Sequence, residues 1–142
     1  MKRLFGTDGI RGEAGVAPLD PPSVRRFGAA LATTLGGPAR APRVVLGRDT
    51  RESGPWLSAA VAAGIASRGG SSVDAGVITT PGLAFGTASG RFDAGVMISA
   101  SHNPYGDNGL KVFIPIAVEK PLPFARAVDP SFLKKAQAKY KS

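Results

Sequence analysis

"AGVMISASHNPYGDNGLKVF", residues 94–113, is the stretch on which the reading of the fold turns. The apolar run "AGVMI" (94–98) passes into "SASHNPYGDNG" (99–109), a loop of serines, glycines, asparagines and a proline, and "LKVF" (110–113) follows. A short apolar run bounded by turn residues reads as a strand buried on both faces. "RVVLG" (43–47) and "SSVDAGVIT" (71–79) have the same character. "LKVF" reads as a fourth strand, returning antiparallel after a tight turn at Asp107–Gly109.

Helical patterns alternate with these runs. In "LDPPSVRRFGAALATTLGG" (19–37), Val24, Phe27, Leu31 and Leu35 recur at helical spacing. Asp20 is the expected cap, Pro21 suits the first helical position, and Gly36, Gly37 and Pro38 stop the helix. In "SGPWLSAAVAAGIASRGG" (53–70), Ser53 is the expected cap and Leu57, Val61 and Ile65 line one face. "TPGLAFGTASG" (80–90) predicts a short third helix. The alternation predicts an α/β fold: a three-layer α/β/α domain over a mostly parallel four-stranded sheet. Binding loops of such sheets gather at the carboxyl ends of the strands. "GRDTRESG" (47–54), "TTPG" (79–82) and "SASHNPYGDNG" are therefore expected along one edge.

Composition narrows the function classes. The 142 residues suit one domain, and no run of 18 apolar residues suggests a membrane span. The start shows no secretory signal and the chain has no cysteine, so a cytoplasmic setting without disulfides or thiolate metal sites is expected. The net charge is +8. Residues 1–113 carry 12 Lys and Arg, nearly all arginine, against 8 acids; residues 114–142 carry 6, nearly all lysine, against 2. Arginine suits fixed recognition of phosphate, whereas lysine is a mobile point charge. The lysines read as a solvated surface; no aromatic–basic interleaving or known module points to nucleic acid. The tail from 114 holds four prolines and then a helical pattern from Ser131. It reads as an extended arm or as an ordered cover on the sheet, and composition does not choose between them.

Three blocks carry candidate chemistry. "FGTDGIRG" (5–12) has glycines that let backbone amides approach an anion, with Thr7 and Arg11 beside them; a plain turn is the alternative. In "GRDTRESGP" (47–55), Arg48 and Arg51 precede a helix start, a natural anion site. A buried ion pair with Asp49 explains the same residues, and the two readings are compatible. In the third block, Ser101 adjoins His102, the only histidine. Adjacent side chains on an extended backbone point apart, and the G-x-S-x-G elbow is missing, so a serine hydrolase is not indicated. A serine among arginines could instead carry a phosphoryl group, with Lys111 assisting proton transfer or neutralising charge; an ordinary turn remains the other reading.

The blocks "FGTDGIRG", "GRDTRESG" and "GVMISASHNPYGDNGLKVF", in this order, resemble the first domain of the α-D-phosphohexomutases over about residues 2–113. Within that family the wording is most similar to the bacterial phosphoglucosamine mutase branch. The resemblance implies an isomerase that turns glucosamine 6-phosphate into glucosamine 1-phosphate through a phosphoserine and a bisphosphate intermediate. It implies that Ser101 is the phosphorylated serine and an Mg²⁺ ligand. His102 and Lys111 would line the reaction centre, Lys111 as candidate general acid/base, and Arg11 would contact the active-site phosphate. Thr7, Arg48, Arg51 and Asn103 are the further expected phosphate or substrate contacts. Mg²⁺ and a hexose bisphosphate activator are the implied cofactors, and a sugar phosphate is the implied partner.

The resemblance ends near residue 113. The D-G-D-G-D-R metal loop of the second family domain, the sugar-reading loop of the third and the phosphate-gripping fourth domain have no counterpart in the sequence. Residues 1–113 are thus expected to form the phosphoserine-bearing domain and 114–142 a Pro/Lys-rich tail outside the pattern. A truncated or frameshifted gene product is one expectation, with little or no activity alone; a second copy could cover the face that other domains would cover. The alternative is a non-catalytic single-domain remnant that binds phosphate or a partner.

Overall fold

A computed structural model describes residue 5 and residues 9–115, 125–127 and 130–141. The elements in chain order are β1 (Gly9–Glu13), α1 (Pro21–Leu35), β2 (Arg43–Arg48), α2 (Gly54–Ala66), β3 (Ser71–Val77), α3 (Thr80–Ser89), β4 (Ala94–Ile98), β5 (Asp107–Pro115), β6 (Ala125–Ala127) and α4 (Pro130–Lys141). One sheet runs in the order β1-β5-β4-β2-β3, with β6 also paired to β5. The strands read as parallel are so: β2 lies parallel to both β3 and β4. β5 runs antiparallel to β4, as expected of "LKVF", but it begins at Asp107, so the supposed turn at 107–109 is already strand.

Two short strands raise the expected four to six. β1 comes from the glycine-rich block and pairs antiparallel with the first half of β5, from Gly9 opposite Lys111 to Glu13 opposite Asp107. β6 pairs with Phe113, Ile114 and Pro115 at the far end of β5. The described part of the tail therefore joins the sheet and, through α4, packs onto α1. Leu133 and Ala136 are buried there, and the Arg26 guanidinium lies over the Tyr140 ring at 5.3 Å.

The main core lies on the sheet face covered by α1, α2 and α4. It gathers Ile10, Val44, Leu46, Val96, Ile98, Leu110 and Val112 from alternate strand positions with Val24, Phe27, Leu31, Leu57, Val61 and Ile65 from the helices. The other face is thinner: Val45, Met97 and Phe113 meet Leu83 and Ala84 of α3. This completes three layers. β2–α2–β3 crosses to one side and β3–α3–β4 returns over β2, so right-handed connections put α2 and α3 on opposite faces.

Three local expectations are corrected. β3 is an edge strand with most residues exposed, Val77 among them at 63%, because β2 is its only partner strand among the described residues. Asp20 precedes α1, but its side chain makes no capping hydrogen bond. Pro21 and Pro22 occupy the first helical positions and have no N–H to offer it. Ser53 does not cap α2 either; its hydroxyl accepts from Asn108 Nδ2 at 2.8 Å. α3 is capped through Thr79, whose Oγ1 accepts the Gly82 N–H at 3.1 Å.

α1 and α2 touch backbone to backbone. A methyl on Gly28 would strike the Val61 carbonyl, and one on Gly64 would strike the Arg25 carbonyl. Gly86 in α3 has open space at the same position. Gly64→Ala is therefore expected to destabilise the fold by about 1–3 kcal/mol through overpacking. Gly86→Ala should stabilise it by about 0.5–1 kcal/mol through helix propensity. Urea unfolding midpoints check both signs.

Candidate functional site

The site begins where β4 ends. Asp49 follows β2, and its N–H donates to the Ile98 carbonyl at 3.1 Å, joining the two loops at the strand ends. The Ser99 hydroxyl donates to Asp49 Oδ2 at 2.7 Å and accepts the Ser101 N–H at 3.1 Å. Ser101 has φ of +52°, in the left-handed region that non-glycine residues seldom occupy.

Arg51 organises the loop that follows. It is only 8% exposed. Nε donates to Asp49 Oδ2 at 3.1 Å, Nη1 to the Pro104 and Asp107 carbonyls at 2.6 and 3.1 Å, and Nη2 to the Ser101 and Asn103 carbonyls at 2.9 and 3.0 Å. All five guanidinium donors are thereby used. Arg51 is thus the interior clamp of residues 101–107, with no donor left for an anion. The ion-pair reading of Arg51 with Asp49 describes these contacts. Arg48 turns the other way and pairs with Asp74 at 2.8 Å. Asn108, fully buried, ties the start of β5 to Ser53, and the exposed Tyr105 hydroxyl accepts the Glu52 N–H at 3.1 Å.

A crevice opens on the α3 face of the sheet, lined by residues that include Arg11, Thr80, Ser99, Ser101 and Lys111. Register explains the grouping. Arg11 lies opposite Gly109 and Lys111 opposite both Gly9 and Met97, while Ile10 and Leu110 between them face the main core. Period-two alternation thus sends Arg11 and Lys111 to the same face. Gly109 leaves the room: a methyl there would lie 3.2 Å from Arg11 Cγ and 2.8 Å from the Ser99 carbonyl oxygen. The described lining holds two cations, three hydroxyls and no carboxylate. A hydroxyl beside two cations suits an anionic group such as a phosphate.

Of the expected site residues, Ser101, Arg11 and Lys111 come together around this crevice. His102 and Asn103 stand on the same loop, His102 exposed and Asn103 half-buried, outside the lining. Arg48 and Arg51 lie outside it too, and Thr7 lies outside the described residues. Sequence reasoning passed over Thr80 and Ser99, and it read Asp49 only as an ion-pair partner. The usable signal was position: Thr80 opens α3 just after β3, and Asp49 and Ser99 each directly follow a parallel strand. Arg51→Lys keeps the charge but loses most of the fork. It is expected to destabilise the chain by about 2–3 kcal/mol, and coupling to Asp49→Ala in a double-mutant cycle checks that the pair acts as a unit.

The model of the phosphoglucomutase/phosphomannomutase alpha/beta/alpha domain I matches residues 2–139. The chain is 60% identical over 112 residues to a phosphoglucosamine mutase of Solibacter usitatus, covering 79% of this chain and 25% of that protein. It is 48% identical over 121 residues to a phosphoglucosamine mutase of Thermus thermophilus, covering 85% of this chain and 28% of the relative. The chain thus spans about a quarter of the length of these relatives. A phosphoglucomutase/phosphomannomutase family protein from Burkholderia thailandensis superposes with a TM-score of 0.76 at 28% identity, over 97% of this chain and 30% of that one. With three layers, the sheet order and the serine loop accounted for, the chain belongs to the phosphoglucomutase/phosphomannomutase family and presents its alpha/beta/alpha domain I.

Proposed function

We propose that this chain is the phosphoserine-bearing part of a phosphoglucosamine mutase-type phosphohexomutase, with Ser101 as phosphoryl carrier. The observation that carries the reading is the crevice in which the Ser101 hydroxyl stands with Arg11 and Lys111 and without a carboxylate among the described lining residues. The names of the similar proteins, phosphoglucosamine mutases, favour glucosamine 6-phosphate and glucosamine 1-phosphate as the sugar phosphates.

In this reading a hexose bisphosphate loads the chain. The phosphorus–oxygen bond to the sugar breaks, the bond to Ser101 Oγ forms, and the serine proton passes to the departing sugar oxygen. Transfer to a hexosamine phosphate reverses these bonds. Arg11 and Lys111 stabilise the charge on the moving phosphoryl group, and Lys111 is the candidate acid/base for the proton. His102 and Asn103, on the same loop, are the remaining candidates for a substrate contact.

The residues described here do not by themselves fit a divalent cation. Among them no three of His, Cys, Asp and Glu form a metal-binding group, and Asp49 is engaged by Arg51 and Ser99. In the reading, Ser101 is the donor that the described residues would offer to Mg²⁺. An open crevice also leaves a phosphoserine to water, whereas mutase turnover needs an enclosed cleft that retains the bisphosphate.

The test is intact mass after incubation with glucose 1,6-bisphosphate. The chain is expected to gain one phosphate, Ser101→Ala to gain none, and Arg11→Ala to load about 10²-fold more slowly. A chain that stays unmodified, or a Ser101→Ala variant that still gains the phosphate, would overturn the reading in favour of a non-catalytic phosphate- or partner-binding module. In a coupled assay with glucosamine 6-phosphate, Mg²⁺ and bisphosphate, the chain alone is expected to turn over far below a relative of full length; comparable turnover would contradict that.

A further inference from the structure

Both peptide units flanking Ser101 lead back to one side chain. The Ser101 N–H donates to Ser99 Oγ at 3.1 Å, and Ser99 Oγ donates to Asp49 Oδ2 at 2.7 Å. The Ser101 carbonyl accepts from Arg51 Nη2 at 2.9 Å, and Arg51 Nε donates to the same Asp49 oxygen at 3.1 Å. Asp49 Oδ1 in turn accepts the Arg51 N–H at 3.0 Å. Between these two ties Ser101 holds φ of +52°.

We infer that Asp49, acting through Ser99 and Arg51, is the positioning residue of the phosphoryl-transfer serine. It holds Ser101 in the left-handed conformation that keeps it in the crevice beside Arg11 and Lys111. The inference rests on the proposed phosphoryl-carrier reading of Ser101.

The hydrogen bonds from Ser101 through Ser99 to Asp49 run in one direction. A serine hydroxyl has one proton, and its rotor is free unless something fixes it. An ionised carboxylate only accepts, so Asp49 draws the Ser99 proton toward itself. The lone pairs of Ser99 Oγ are then left to face the Ser101 N–H. Without Asp49 the Ser99 hydroxyl is free to turn, and one of the two ties on Ser101 loosens. The left-handed conformation is strained for a non-glycine residue, so it persists only while its surroundings hold it. Both ties bridge residues about fifty positions apart in the chain, which makes the conformation a product of the folded sheet rather than of the loop sequence.

The arrangement also separates two roles that a bare hydroxyl count would merge. Ser99 and Ser101 both line the crevice, but only Ser101 is offered as the nucleophile. Ser99 is occupied on both sides, as donor to Asp49 and as acceptor from Ser101.

The experiment compares the full chain with its Ser99→Ala and Ser99→Thr variants by two readouts. The first is the rate of phosphate gain from glucose 1,6-bisphosphate by intact mass. The second is hydrogen exchange of the Ser101 amide by NMR. Ser99→Ala is expected to load at least about tenfold more slowly, the scale of a misplaced reacting group, and to exchange the Ser101 amide at least about tenfold faster. Ser99→Thr, which keeps the hydroxyl, should restore both. Slower loading with unchanged exchange would overturn the inference, because Ser99 would then touch the phosphoryl group directly. Unchanged loading would overturn it as well. If the unmodified chain takes up no phosphate, the carrier reading fails, and exchange alone decides the conformational claim: faster in Ser99→Ala supports it, unchanged refutes it.

Discussion

The Asp49 carboxylate is the constraint on which the site depends. One of its oxygens receives Ser99 and the Arg51 Nε, and the other receives the Arg51 amide. Arg51 then spends its four remaining donors on carbonyls of residues 101, 103, 104 and 107. A loop rich in glycine, asparagine and proline would otherwise sample many conformations, and ordering it costs roughly 1–2 kcal/mol per residue in backbone entropy alone. A buried guanidinium with every donor engaged offsets part of that cost. It also explains why an arginine placed just before a helix start, which looks poised for an anion, serves the protein's own carbonyls instead.

The sheet supplies what the clamp cannot. β5 lies between β4 and β1, so residues 9 to 11, 97 to 99 and 109 to 111 fall into one band across three strands. Alternation sends Ile10 and Leu110 into the main core and sends Arg11 and Lys111 to the opposite face. The cations are therefore fixed by burial of their neighbours. A one-residue slip of β1 against β5 would put Ile10 in the crevice and Arg11 in the core, a change that the core would resist. The two glycines opposite the cations, Gly9 and Gly109, keep that band narrow enough for the strands to pair and open enough for long side chains.

Much of the architecture was legible because it is local. Helical spacing at Val24, Phe27, Leu31 and Leu35, and glycines past the helix ends, report α1 directly. The parallel strands are short apolar runs between turns. What was not legible is what depends on distant pairing. "GIRGE" carries no alternating apolar pattern, and it is a strand only because β5 lies beside it. "SSVDAGV" has the composition of an interior strand, but among the described residues no strand lies on its other side. In the site, Ser101, Arg11 and Lys111 stood out by residue type and by motif. Asp49 and Ser99 did not stand out in these roles, because they act through hydrogen bonds between loops some fifty residues apart. Arg48 and Arg51 were indistinguishable by type; the carboxylate each one meets, Asp74 or Asp49, separates them.

The central claim is that phosphate resides on one particular oxygen, with its neighbour two residues earlier held in a supporting role. Fragmentation mass spectrometry of the chain after treatment with a hexose bisphosphate tests this most directly. The account predicts phosphate on Ser101 alone. Phosphate on Ser99, or divided between the two serines, would contradict it.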